Sequence, residues 1–194
     1  MDLIKYEKLT YNWQPFYDKV KRISKNLKID PEWLLDVMYI ETAGTFSPSI
    51  KNKSSSATGL IQFMSSTAEW LGTTVAQLSV MSNLQQLDYV EKYFVSQFKA
   101  TGVPKSFFDL YCVVFYPKWV NSVETSTLAD SAYAVNKGID LNKDGKITKG
   151  EFRVWANRQV NRSATDGAVA AIKKGLPFIL LPLSFLGLVY FKLI

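Results

Sequence analysis

Asp30 and Pro31 open a run that has few ways to fold other than as a helix: Pro31-Glu32-Trp33-Leu34-Leu35-Asp36-Val37-Met38-Tyr39-Ile40-Glu41. Asp30 can cap it, and Pro31 suits its first position. Leu34, Val37, Met38 and Glu41 then share one face at helical spacing. A face of that kind packs inward, which sets a carboxyl among apolar neighbours at the helix's negative end. Burial and the helix dipole both disfavour its charged form, so the pKa of Glu41 is expected to rise. A carboxyl that keeps its proton near neutral pH can serve as a general acid toward a glycosidic oxygen. Taken alone, Glu41 reads more readily as a solvated glutamate at a helix end; the segment after it shifts that reading.

The rest of the chain up to about residue 160 also reads as helix. Phe16, Val20, Ile23 and Leu27 recur at helical spacing and give a first helix from about Pro15 to Lys28. Residues 43–58 are rich in Gly, Ser, Thr and Pro and read as a loop. Ser66 can cap a short helix through Trp70, and Thr74 another through Leu78. Ser82 with Gln85 has the capping-box pattern and opens a longer helix from Asn83 to Lys99, whose core stripe is Leu84, Leu87, Val90, Tyr93 and Phe94. Ser106 to Tyr116 is the next, ended by Pro117. A set of modest helices around one cleft suits an all-α, lysozyme-like domain over residues 1–160.

The segment after Glu41 carries a resemblance. Glu41-Thr42-Ala43-Gly44-Thr45-Phe46-Ser47-Pro48, followed by Ala57-Thr58-Gly59-Leu60-Ile61-Gln62-Phe63-Met64-Ser65-Ser66-Thr67-Ala68, resembles the soluble lytic transglycosylases, most of all the versions carried by bacteriophages. The resemblance is strong over residues 30–70 and weaker from there to about 120. It implies that Glu41 is the catalytic acid/base and that Gln62 and Met64 lie along a peptidoglycan strand. The family's later aromatic-Tyr-Asn-Ala-Gly element has its counterpart in Phe115-Tyr116-Pro117-Lys118, which keeps only the tyrosine. Tyr116 is therefore the later site residue, with Tyr111 as the fallback. The stretch from Glu41 to Gly59 is longer than is common in the family, so Ser54, Ser55 and Ser56 all remain open for the role of the cleft serine, with Ser55 the central choice.

Composition narrows the chemistry further. The chain has no histidine, which excludes histidine catalysis and histidine metal sites. Its net charge of +6 favours anionic cell-wall polymers or lipid headgroups. Nucleic acid is not an expected partner, because the Lys and Arg are scattered and match no binding motif. Cys112 is the only cysteine, so no internal disulfide can form, and its apolar setting points to a buried structural thiol. Met1-Asp2-Leu3-Ile4-Lys5-Tyr6-Glu7 lacks the charged-then-apolar pattern of a secretory signal.

A second motif spans Asp140-Leu141-Asn142-Lys143-Asp144-Gly145-Lys146-Ile147-Thr148-Lys149-Gly150-Glu151. Oxygen side chains stand at loop positions one, three, five, nine and twelve, with Gly at six and an apolar residue at eight. That is the EF-hand pattern, in which Asp140, Asn142, Asp144, Thr148, Glu151 and the carbonyl of Lys146 would hold a structural Ca²⁺. Tyr133 to Ile139 contains Gly138 and makes a poor entering helix. The competing reading is an Asp/Asn/Gly turn that caps a helix starting near Lys149.

From Gly175 to Phe191 the chain is uncharged, at the lower limit of a membrane-crossing helix, with Lys173, Lys174 and Lys192 flanking it. Pro177 and Pro182 sit better in a membrane helix than in a buried soluble one. The expectation is a C-terminal transmembrane anchor over 175–194 on a basic linker over 161–174. Joined to the phage-like resemblance, it places the chain in a lipid membrane, that of a phage particle or of the host, with other virion proteins as possible partners. A lyase needs one carboxyl, because the substrate's own 6-hydroxyl is the nucleophile. A hydrolytic lysozyme needs a second, for which Asp88, Glu91 and Asp109 are available. A lysis protein of the same fold, or a non-enzymatic glycan-binding protein, would keep the same helices.

Overall fold

A period of 3.6 rather than 2 governs residues 12–53 and 55–160, which are the residues described by this computed structural model. The expected anchor (175–194), its linker (161–174) and Ser54 lie outside them. Among the described residues the regular elements are all helical, and β pairing is limited to isolated bridges. None of these helices is long and apolar enough to cross a membrane.

Helix α1 (Trp13–Leu27) buries Phe16, Val20, Ile23 and Leu27, the expected stripe, and ends where Lys28 turns left-handed at φ 58°. Helix α2 (Pro31–Glu41) has Pro31 in its first turn and the Asp30 side chain accepting from Glu32 N at 2.8 Å. Spacing predicts one inward face, but Leu34, Leu35, Asp36, Val37, Met38, Ile40 and Glu41 are all buried. The reason is tertiary. α2 packs against α1 on one side and against α6 (Phe107–Phe115) on another, and a helix enclosed by neighbours is apolar nearly all round. α6 is the second such helix, with every residue but Asp109 buried, and the Ser106 side chain caps it.

Between them lie α3 (Ser65–Trp70), α4 (Val75–Val80) and α5 (Asn83–Thr101). Thr74 caps α4, and the Ser82/Gln85 capping box opens α5. The cap expected at Ser66 is corrected: α3 starts at Ser65, Met64 precedes it without a side-chain bond, and Ser65 N donates to Ser56 Oγ instead. Leu84, expected in the core, is half-buried beside Lys19, which donates to its carbonyl and pairs with Asp88. These contacts fasten α5 across α1, helped by Asn26 donating to Glu91 at 2.9 Å.

The C-terminal part is pinned by aromatic packing. α8 (Lys149–Gln159) presents Phe152, whose ring stacks on Phe115 at 4.1 Å and meets Tyr111 at 5.0 Å and Trp119 at 5.5 Å. Arg153 lies over the Phe108 ring and makes a two-point bond to Glu124, which ties the 117–127 segment to the same cluster. Contrary to expectation, the EF-like loop is preceded by a real helix, α7 (Asp130–Asn136). Gly138 does not interrupt it, because α7 has already ended and Gly138 falls in the short 3-10 turn Lys137–Ile139.

Candidate active site

Glu41 is the last residue of α2 and is 5% exposed, so the solvated helix-end reading fails. Immediately after it the chain reverses. Thr42 Oγ1 donates to Met38 O at 2.7 Å and accepts from Phe46 N at 3.0 Å, and Ala43, Gly44 and Phe46 all take positive φ.

The Gly59–Met64 segment is a tight, self-braced loop. Thr58 and Phe63 exchange backbone bonds at 3.0 and 2.8 Å, and Gly59 N donates to Ile50 O. Gln62 sits at φ 50° and is buried, with Nε2 donating to Gly59 O at 3.1 Å and, more weakly, to Ile50 O at 3.4 Å. Its Oε1 accepts no hydrogen bond among the described residues. Met64 and Ser55 are half-buried, with Ser55 Oγ accepting from Ala57 N.

Two residues that spacing cannot nominate organise this region. Tyr93, legible only as core, donates its hydroxyl to Val113 O at 2.9 Å, and its ring meets Phe63 edge-on at 6.4 Å. Burial pushes the Tyr93 phenol up, and the neighbouring Glu41 charge adds to that rise. Tyr93 therefore lies within electrostatic reach of Glu41 and packs on Phe63 of the Gly59–Met64 loop. The second residue is Gln86, fully buried in α5. Its Oε1 accepts from Leu60 N at 2.6 Å, while its Nε2 donates to Pro48 O and Leu78 O, both at 3.0 Å. A buried polar residue on a helix is the only sequence signal it offers.

The two later tyrosines separate. Tyr116 lies at the end of α6, 8% exposed, its ring edge-on to Trp119 at 5.1 Å. Tyr111 is corrected from candidate ligand contact to core. It is fully buried among Phe107, Phe115, Phe152 and Trp155, so no sugar can reach it. Cys112 is fully buried as expected; burial pushes its thiol up and keeps it protonated.

In the EF-like loop Asp140 and Glu151 are buried, Thr148 is half-buried, and Asn142, Asp144 and Lys146 are exposed. Burial alone would raise the Asp140 carboxyl. The Tyr133 hydroxyl and the main-chain N–H groups of Gly145, Lys143 and Asp144 outweigh it and hold the carboxyl below the usual range. Among the described residues no three Asp, Glu, Cys or His side chains gather into a metal-holding group.

Residues 18–90 match the family model described as Transglycosylase SLT domain, a segment that includes Glu41, Gln62 and Met64 but is less than half of the 194-residue chain. The mostly helical structure fits the lysozyme-like fold of that family, and the match supports a lytic transglycosylase acting on peptidoglycan. No curated protein and no solved structure matches the chain.

Proposed function

We propose that this chain cleaves the β-1,4 bond between N-acetylmuramic acid and N-acetylglucosamine with Glu41 as its sole acid/base. The observation that carries this reading is a nearly enclosed Glu41 at the end of α2, within electrostatic reach of Tyr93, whose ring packs on the Gly59–Met64 loop; Glu41 and that loop both lie inside the matched segment. The reaction needs Glu41 to carry its proton when substrate arrives, and enclosure acts in that direction. Glu41 then gives that proton to the bridging oxygen as the bond to C1 breaks. The resulting carboxylate takes the proton of the 6-hydroxyl, whose oxygen closes onto C1. The product is a 1,6-anhydromuramic end, no water is consumed, and Glu41 is reprotonated.

Hydrolysis would require a second carboxylate facing Glu41, and the available ones are engaged elsewhere. Asp88 pairs with Lys19 at 2.6 Å, Glu91 accepts from Asn26, and Asp109 accepts from Ser106 in the first turn of α6. Asp36, five residues before Glu41 on α2, is turned roughly 140° around the helix axis from it. This distribution favours the lyase. With its amide nitrogen committed to the loop, Gln62 presents Oε1 to sugar hydroxyl or acetamido N–H donors, while Met64, Ser55 and Tyr116 line the strand. From the sequence we further propose that residues 175–194 hold the chain in a lipid membrane, that of a phage particle, for local wall penetration during entry.

Glu41→Gln keeps the side chain's shape and removes the transferable proton. Cell-wall clearing by the variant should vanish with its helical circular dichroism intact, and wild-type digests should contain anhydromuramic ends. Equal clearing by the variant would refute the role of Glu41, whereas reducing ends in the wild-type digest would refute only the lyase step.

A further inference from the structure

We infer that the loop from Asp140 to Glu151 is a Ca²⁺ site anchored by Asp140 Oδ1. This goes beyond the cleavage chemistry and does not depend on it. Asp140 is 7% exposed, and its two oxygens are treated differently. Oδ2 accepts from the Tyr133 hydroxyl at 2.7 Å and from Gly145 N at 3.0 Å, which fixes the carboxyl's orientation. Oδ1 is buried and takes no hydrogen bond of full geometry, with the main-chain N–H groups of Lys143 and Asp144 supplying only weaker support to the carboxyl. A buried anionic oxygen so weakly paired is costly and gains from a cation. No lysine or arginine among the described residues pairs with Asp140.

The remaining donors around the loop are hard oxygens. Asn142 and Asp144 follow at positions three and five, the Lys146 carbonyl at seven and Thr148 Oγ1 at nine. Gly145, at φ 84°, makes the turn that a side-chain-bearing residue resists. The single thiol, Cys112, is in the core, so soft metals have no ligand here. Mixed neutral and anionic oxygens without rigid octahedral order suit Ca²⁺ better than Mg²⁺.

Glu151 already lies inside the loop. Its Oε1 accepts from Leu141 N and Asn142 N, and its Oε2 accepts from Thr148 N and Oγ1, each of these two at 2.9 Å. From position twelve it thus bridges positions two, three and nine of the loop. A cation would have to compete with these four donors and draw in the exposed Asp144. That explains why three carboxylates are not gathered beforehand, and it predicts binding weaker than that of an all-carboxylate loop.

Tb³⁺, a Ca²⁺ surrogate, tests the site directly on the full chain. Tyr133 lies against Asp140 and should sensitise its emission. Excitation at 280 nm should give green luminescence that millimolar Ca²⁺ displaces and equal Mg²⁺ does not. Asp140→Asn should abolish the signal. Asp144→Ala, at an exposed position that cannot unfold the core, should weaken apparent affinity at least tenfold, so it decides the matter if Asp140→Asn fails to fold. No sensitised emission, or emission unchanged in Asp144→Ala and in any folded Asp140→Asn protein, overturns the proposal and leaves the loop as a turn closed by Glu151.

Discussion

Gly59→Ala probes the device that holds the Gly59–Met64 loop in place. Gly59 has φ 80°, and an added Cβ would overlap the whole amide of Gln86. Two costs follow. A side-chain-bearing residue in that backbone region loses roughly 1–2 kcal/mol. Relieving the overlap means displacing the Gln86 amide from Leu60 N, Pro48 O and Leu78 O. Each such group left buried and unpaired costs about 1–3 kcal/mol, so losing one or two brings the total to about 2–8 kcal/mol. That is a large share of the roughly 5–15 kcal/mol that holds a domain together. At about 2–4 °C per kcal/mol for a chain of this size, the melting temperature should drop by at least about 4 °C in circular dichroism. Gln86→Ala removes the obstructing amide, so the Gly59→Ala/Gln86→Ala double variant should lose about 1 kcal/mol or more less than the sum of the single losses. Additive losses, or a Gly59→Ala protein within about 1 kcal/mol of wild type, would show that Gln86 does not brace the loop.

The buried thiol sets an alkaline signature. The Cys112 pKa is raised in the folded state, so its contribution is full below the unfolded thiol's value of about 8.5 and is lost as pH climbs beyond it. Stability should fall above that point by up to about 1.4 kcal/mol per pH unit, with Tyr93 adding from about pH 10; Cys112→Ala should flatten urea-derived stability between these values, and identical slopes would refute the assignment. For the membrane reading, the protein should stay with the lipid fraction when purified phage particles are fractionated with mild detergent, and recovery only in the protein shell or outside particles would count against it.

Helix existence was legible because its signals are local. Asp30, Thr74, Ser82 with Gln85, and Ser106 all cap helices through side chains within three residues of the bonds they make. Ser66 misled because the α3 terminus is satisfied from Ser56, nine residues before the N–H that it accepts. The loop's entering helix was obscured by Gly138, since composition alone does not reveal that a helix has already stopped. Glu41 was legible as a buried helix-end carboxyl, but its surroundings were not. Apart from the Gln86 bond to Leu78, Tyr93 and Gln86 act through partners 20 to 38 positions away along the chain, a distance at which no periodicity operates.

The segment from Ala43 to Gln62 departs most from local preference, and the departure is informative. Gly44 and Gly59 take positive φ at little cost, but so do Ala43, Phe46 and Gln62, which resist it. Such residues persist only where the surroundings over-determine them, at about 1–3 kcal/mol each. The surroundings here do so with named bonds: Thr42 holds Phe46 N, the Phe46 ring is packed against Phe16 at 5.5 Å, and Gln62 ties its own side chain back to Gly59 O. Both ends of this braced segment bear on the proposed chemistry, one at Glu41 and the other at the Gln62 amide. A strained segment held on both sides by helices α2 and α5 cannot relax without moving Glu41 or Gln62, so the stability forgone there keeps the two in the fixed relation that the proposed cleavage requires.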